Sequence, residues 1–373
     1  MSSTGAPAMT QPVVALLGRR DEPTDALEQY CIHLGAALRK RDFAMDIVRL
    51  RWKERGWPAA LRDLEQEAGG WRGRWVLLQY TALSWSARGF PLQLPRVMKI
   101  LRDAGAHVGV VYHDVEPYPG RRAIDYLRRF TQWRALRQAL RLSDRAILTV
   151  PAGQLSWIST ETKKAVFIPV GANFPHRAFV ERDHNIRQDE TPTVAVFGVT
   201  GGIAGQQEVT LIAGAIRLAT EKVGKLRLLV FGRNADSAEE NLREKLRGLP
   251  VTLRVSGVLP EDDLGPLLSS ADVLLFVRGT ISSRRGSAIA GIACGLPVIA
   301  VAGNETAAPI TDAGLVLVSG ANERAWGEAL VRVLSDRKYH AMLAERSRSA
   351  YQNHFSWDAI AWRYASVLQA SDS

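Results

Sequence analysis

Twelve short runs rich in Val, Ile and Leu recur along the chain, separated by longer segments of helical pattern, and this alternation limits the fold more than any other feature of the sequence. Six fall in the first half: VVALL (13 to 17), MDIVRL (45 to 50), WVLLQY (75 to 80), HVGVVY (107 to 112), RAILTV (145 to 150) and AVFIPV (165 to 170). Six fall in the second: TVAVFG (193 to 198), LRLLVFG (226 to 232), VTLRVSG (251 to 257), ADVLLFV (271 to 277), LPVIAV (296 to 301) and GLVLVS (314 to 319). Near-continuous apolar strands alternating with helices predict parallel sheets covered on both faces. Two sets of six predict an α/β protein of two doubly wound domains, and 373 residues are enough for a core in each.

Between the sets, HRAFVERDHNIRQDETPT (176 to 193) is polar and lacks apolar periodicity. The chain is therefore read as a flexible tail (1 to 11), a first domain (12 to 185), a linker (186 to 192), a second domain (193 to 355) and a closing amphipathic helix (356 to 370) with Ser356 as its cap.

Lysine and arginine outnumber the acids 48 to 38, a net charge of +10 that calls for an anionic partner. No zinc-finger, helix-turn-helix or RNA-binding signature is present, which argues against nucleic acid. Cys31 and Cys294 have neither metal-ligand nor disulfide-framework spacing and read as buried thiols. No apolar stretch approaches the roughly 18 residues of a membrane span. The first eleven residues are small and polar, with no cation before Arg19, so a secretory leader is not expected and a cytosolic protein is. From Arg121 to Arg141 seven arginines accompany one acid, Asp125, with Phe130 and Trp133 among them. These arginines do not share one helical face, which leaves both an anionic membrane contact and an ordinary solvated helix open.

In such sheets ligands lie beyond the carboxyl ends of the strands. That rule selects 18 to 21, 79 to 84, 113 to 116, 198 to 205, 232 to 234, 278 to 287 and 303 to 306. In FGVTGGIAGQQE (197 to 208) the glycines, Gly201 and Gly202 among them, allow either a phosphate cradle on the following helix or a plain tight turn. In TISSRRGSAIAGIACGLPVIA (280 to 300), Ser283, Arg284, Arg285, Gly286 and Ser287 gather two guanidiniums and hydroxyls at a helix start with no acid beside them in sequence. Arginine binds phosphate through a planar fork, whereas in a helix's first turn it opposes the macrodipole, so an anion site is expected here. In the first domain His113 and Asp114 end a strand, and Arg19 and Arg20 form another basic strand-end loop; each is readable as structural without further context.

The second half resembles the group 1 glycosyl transferases, retaining nucleotide-sugar enzymes of the GT-B fold. The similar segments come in order: VFG with its glycine-rich loop, LRLLVFGR, VSGVLPEDDLGPLLSSADVLLFV, GIACGLPVIA, DAGLVLV and FSWDAIAWRY. LPEDDLGPLLSSADVLL together with ACGLPVIA is the most specific combination. The first half is similar more loosely, through DALEQYCIHLGAALRKRDFAMDIV and HVGVVYHDVEP. The resemblance implies two Rossmann-like domains with parallel sheets facing across a cleft. It places the nucleotide-sugar donor mainly on the second, and a glycan or lipid-linked acceptor on the first, near Arg19, Arg20 and Asp114. The last helix would pack back on the first domain. It also implies His113 near the transferred sugar, Gly201 and Gly202 over the donor phosphates, and Val258 in the segment facing the base. Neither a metal nor a cofactor besides the donor is implied, and the setting would be cytoplasmic or the inner face of an anionic membrane, in assembly of a surface polysaccharide or glycolipid.

Two departures stand against the family pattern. Its usual pair of glutamates, eight positions apart, falls on Ser282 and Ala290, and its usual arginine and lysine after the first strand of the second domain fall on Val199 and Gln206. The expectation is that Arg284 and Arg285 replace the lost cations at the donor diphosphate, with Ser283, Ser287, Arg233 or backbone on the ribose. A catalytically degenerate homologue acting as a binding or scaffold protein is the alternative; an epimerase or phosphorylase on a related scaffold is a third reading.

Overall fold

A computed structural model describes residues 10–22, 24–120, 122–172, 191–320 and 322–370. The chain divides into two compact units, Met1–Pro169 with Trp357–Ser373, and Val170–Ser356. The linker read at 186 to 192 lies outside the described residues except for Thr191 and Pro192, and so does the tail up to residue 9.

The first unit carries, in chain order, β1 (Gln11–Leu17), α1 (Ala26–Leu38), β2 (Phe43–Arg49), α2 (Trp52–Arg55), α3 (Trp57–Ala68), β3 (Trp75–Tyr80), α4 (Leu94–Asp103), β4 (His107–Tyr112), α5 (Ala123–Leu142), β5 (Arg145–Leu148) and β6 (Ala165–Phe167). Its six strands form one parallel sheet in the order β2-β1-β3-β4-β5-β6. β3 is buried along its whole length, as a strand covered on both faces must be. Asp25 starts α1 by accepting from the backbone N–H groups of Leu27 (3.1 Å) and Glu28 (3.2 Å), which satisfies two of the helix's orphan donors.

The second unit carries β7 (Thr193–Phe197), α6 (Gly202–Val223), β8 (Leu226–Phe231), α7 (Ala235–Lys245), β9 (Val251–Ser256), α8 (Glu261–Ser269), β10 (Val273–Thr280), α9 (Gly286–Ala293), β11 (Val298–Val301), β12 (Leu315–Val318), α10 (Glu323–Ser335) and α11 (Arg337–Ala350). The sheet order is β12-β11-β10-β7-β8-β9, again parallel throughout. Strand order therefore reverses between β7 and β10, the switch point at which open α/β sheets bind ligands. The core here is a continuous cluster including Val194, Val196, Ile212, Ile216, Leu228, Val230, Leu275 and Trp326.

All twelve apolar runs are strands. One differs from its sequence pattern in a way that bears on function: β10 continues to Thr280, past the end of the apolar run at Val277. Phe276 pairs with Ala300 and Thr280 with the very next residue, Val301, so the intervening segment bulges out of the ladder, with Gly279 at φ +72°.

The last helix, α12 (Trp357–Gln369), belongs to the first unit. The Trp75 indole donates to the Leu368 carbonyl (3.0 Å), and the buried hydroxyls of Tyr30 and Tyr364 meet at 2.9 Å. Cys31 and Cys294 are buried free thiols; burial pushes the Cys294 thiol up to about 12, so neither chemistry nor metal binding is built on it. Among the described residues no helix is long and apolar enough to cross a membrane.

Candidate functional site

In the second unit the loop after β7 is folded by its own side chains. Glu208, in the second turn of α6, accepts from the Thr200 N–H (2.7 Å) and hydroxyl (2.6 Å) and so pulls the loop onto the helix. Gly205 permits this closure: a β-carbon there would stand 1.9 Å from the Thr200 carbonyl oxygen. Gly201 caps α6 without a side-chain hydrogen bond, and a β-carbon on Gly202 would meet nothing within 4 Å. Beyond β8, Asn234 sits in the left-handed region (φ +60°) and its amide donates to the Val199 carbonyl (3.0 Å), while the Arg233 carbonyl accepts from the Val199 N–H (3.1 Å). Arg233 is thus held against the glycine-rich loop. Val258, placed after β9, is exposed.

The segment 280 to 287 answers differently from its sequence. Both arginines stand before α9, Arg285 at its cap position, so neither lies in the first turn. The apparent absence of an acid is corrected by the fold: Glu305, in the loop after the adjacent strand β11, accepts two hydrogen bonds from the Arg284 guanidinium (2.7 and 2.8 Å) and one from the Ser282 hydroxyl (3.1 Å). Burial would raise the Glu305 carboxyl, but the hydrogen bonds and charge of Arg284, the charge of Arg285 and the Ser282 hydroxyl outweigh it and hold the group below its ordinary value. Arg285 turns back and donates from Nε to the Thr280 carbonyl (3.2 Å). Thr306 completes the tie between the loops, accepting from the Gly303 N–H and donating to the Ile281 carbonyl. Ser282, Ser283 and Ala290 are fully buried, and the Ser283 hydroxyl has no hydrogen-bond partner among the described residues. Gly286 and Ser287 are half-buried at the helix start.

In the first unit, His113 follows β4. Its Nε2 lies 2.8 Å from the Oε1 of Gln79, a fully buried residue of β3, and the Tyr30 ring meets the imidazole edge-on at 5.0 Å. The Asp114 carboxylate accepts from the Ala82 N–H (2.8 Å) and the Tyr118 hydroxyl (3.1 Å), shaping the loop after β3. The Arg19 N–H donates to the Ser84 carbonyl, and Arg20 is an exposed side chain 3.7 Å from Glu28. No group of three or more His, Cys, Asp or Glu side chains is placed to hold a metal ion among the described residues.

The family model for glycosyl transferases group 1 matches residues 194–336, the span that contains β7, the glycine-rich loop, both arginines and Glu305. That span is similar to the group 1 glycosyl transferases. A D-inositol 3-phosphate glycosyltransferase of Salinispora tropica is 37% identical over 121 residues, 32% of this chain and 25% of that protein, so the match covers a quarter of the relative's length. Over the whole molecule the fold is similar to that of a sucrose-phosphate synthase from Thermosynechococcus elongatus (TM-score 0.72, 20% identity, 97% of this chain and 99% of that one). It is also similar to Anabaena HepE in complex with UDP and glucose (TM-score 0.66, 15% identity, 96% and 100%). The protein has the GT-B fold of two parallel six-stranded sheets. Within that matched span, sequence reasoning missed Glu305 and Glu208 as individual residues, although the strand-end rule had selected the segment holding Glu305.

Proposed function

We propose that the protein is a glycosyltransferase that moves a sugar from a nucleotide-diphosphate donor to an acceptor hydroxyl. The observation that carries this reading is that the span matching the group 1 glycosyl transferase model contains the strand-order switch point between β7 and β10, with Gly201, Gly202 and Arg233 in the loops after β7 and β8. The structurally similar HepE, crystallised with UDP and with UDP-glucose, supports a nucleotide-sugar donor. In this reading the bond from the sugar's anomeric carbon to the diphosphate breaks and a bond to the acceptor oxygen forms. The acceptor's proton passes to an oxygen of the departing diphosphate, so no enzymic carboxylate is needed to remove it. Negative charge builds on the leaving group, and fixed cations and backbone N–H groups stabilise it. Gly201, Gly202, Arg233, Val258, Gly286 and Ser287 form the donor-binding set, and His113, held by Gln79, contacts the transferred sugar.

A lipid-linked acceptor at an anionic membrane fits α5, which exposes Ile124, Tyr126, Leu127, Phe130 and Trp133 among its arginines. Apolar and aromatic side chains with interspersed cations suit a headgroup interface. Surface-polysaccharide or glycolipid assembly is the corresponding setting, on the cytoplasmic side.

One observation favours the scaffold reading: the positions of both family glutamates, Ser282 and Ala290, are buried small residues, and the nearby carboxylate of Glu305 is engaged by Arg284. Incubation of the protein with UDP-, GDP-, TDP- and ADP-sugars and phospholipid vesicles carrying extracted lipid acceptors separates the two. Acceptor gaining one sugar residue by mass, with release of nucleoside diphosphate, supports the enzyme; binding of nucleotide without any turnover supports the scaffold.

A further inference from the structure

Arg278 sits at the centre of the β10 bulge, where the four residue steps from Phe276 to Thr280 span a single step of β11. Bulges at the ends of strands re-aim side chains, and this one lays the guanidinium over the backbone of Gly198, at the end of neighbouring β7. A β-carbon at Gly198 would stand 3.1 Å from the Arg278 Nη1 and 3.4 Å from its Cδ. Gly198 has φ +81°, a conformation that suits glycine, so both the turn and the close approach call for this residue.

The guanidinium is half-buried, yet among the described residues no acceptor lies within hydrogen-bond distance of it. Its nearest acid, Glu208, is turned to the Thr200 N–H and hydroxyl. Burial lowers the affinity of Arg278 for its proton, the charge of Glu208 opposes that and the charge of Arg233 adds to it. A partly desolvated cation beside a second cation, with five N–H donors and no carboxylate fork, is unfavourable alone and becomes favourable when an anion completes it. Its place is the reversal of strand order between β7 and β10, at the carboxyl ends of both. Arg284, by contrast, has its own carboxylate in Glu305.

We infer that Arg278, aimed by the β10 bulge over Gly198, is the principal cation for the donor's diphosphate, with Arg233 beside it. The inference rests on the proposed donor reading and assigns the cation role to a side chain at the end of β10, set over the start of the glycine-rich loop, in place of the Arg284–Arg285 pair. Bidentate donation to two oxygens of the diphosphate would neutralise the charge that builds as the sugar leaves.

The test compares the full-length protein with Arg278→Gln by calorimetric titration of inorganic pyrophosphate, UDP, GDP, TDP, ADP and the corresponding nucleosides, with thermal unfolding of both unliganded proteins as a structural control. The inference predicts at least a tenfold weaker binding of pyrophosphate and of the preferred nucleoside diphosphate to Arg278→Gln, unchanged weak nucleoside binding, and an unliganded melting temperature equal to or above that of the wild type. A variant that binds the same diphosphate as tightly as the wild type overturns it, as does a marked loss of unliganded stability, which would make Arg278 a structural residue. Arg278-dependent binding of pyrophosphate with no binding of any nucleotide would keep the anion site and reject the donor reading. A wild type that binds neither rejects both.

Discussion

The guanidinium of Arg284 grips the carboxylate of Glu305 through Nε and Nη2, at 2.7 and 2.8 Å, across two loops 21 residues apart. The fork-like geometry and low exposure of both side chains make this pair a fixed brace between the ends of β10 and β11.

Glu305→Gln therefore destabilises the protein by about 2 kcal/mol, the cost of a charged hydrogen-bond partner lost from a half-buried site, and a double-mutant cycle with Arg284→Ala yields a coupling of about 1–3 kcal/mol by urea denaturation. The folded-state carboxyl is held below its unfolded value, so the contribution is present above the unfolded value of about 4.3 and is lost as pH falls through the lower folded value. The stability gap between wild type and Glu305→Gln should close below about pH 4; a gap independent of pH contradicts the brace.

The central strands were legible because their apolar runs are buried on both faces, two sets of six gave two doubly wound domains, and the GT-B arrangement was implied by the resemblance. The brace was not legible. Glu305 is remote from Arg284 in sequence, and the two meet because β10 and β11 are neighbours in the sheet. The aim of Arg278 was hidden for a related reason. A bulge depends on the register between two strands, whereas the apolar pattern that marks a strand breaks off at Val277 and reports nothing of the pairing beyond it. The glycines at 201 and 202 were conspicuous as a loop, but the residue that shapes the loop, Glu208, reads in sequence as one more helical acid.

Gly205→Ala should disrupt that loop. The added carbon at 1.9 Å from a backbone oxygen forces Thr200 and Glu208 apart, at a cost of about 1–3 kcal/mol. Nucleotide affinity falls with it, read by denaturation and titration of the same preparation. Wild-type stability in the variant would show that the loop closes otherwise.

His113→Ala should lower turnover by about a hundredfold or more while leaving nucleoside diphosphate affinity within about twofold, because the nucleotide is assigned to the second unit. Gln79→Leu removes the partner 2.8 Å from the ring and should produce a smaller fall in kcat. Equal loss of nucleotide affinity and turnover in His113→Ala would argue that the imidazole supports the fold instead.

Tyr364→Phe leaves the Tyr30 hydroxyl without its 2.9 Å partner in a buried setting. The expected loss is about 1–2 kcal/mol, read as a lower urea midpoint with unchanged nucleotide affinity. No loss would show that the tyrosine pair adds nothing net to the hold of α12 on the first unit.

Thermal unfolding of the purified protein with UDP, GDP, TDP, ADP and their sugars measures in one experiment whether the second unit holds a nucleotide-sugar donor. A ligand at about a hundred times its dissociation constant adds about 2.7 kcal/mol of stability, and the account predicts a rise in melting temperature of a few degrees with one base and its sugar nucleotide. An unchanged melting temperature with every nucleotide at millimolar concentration would contradict it.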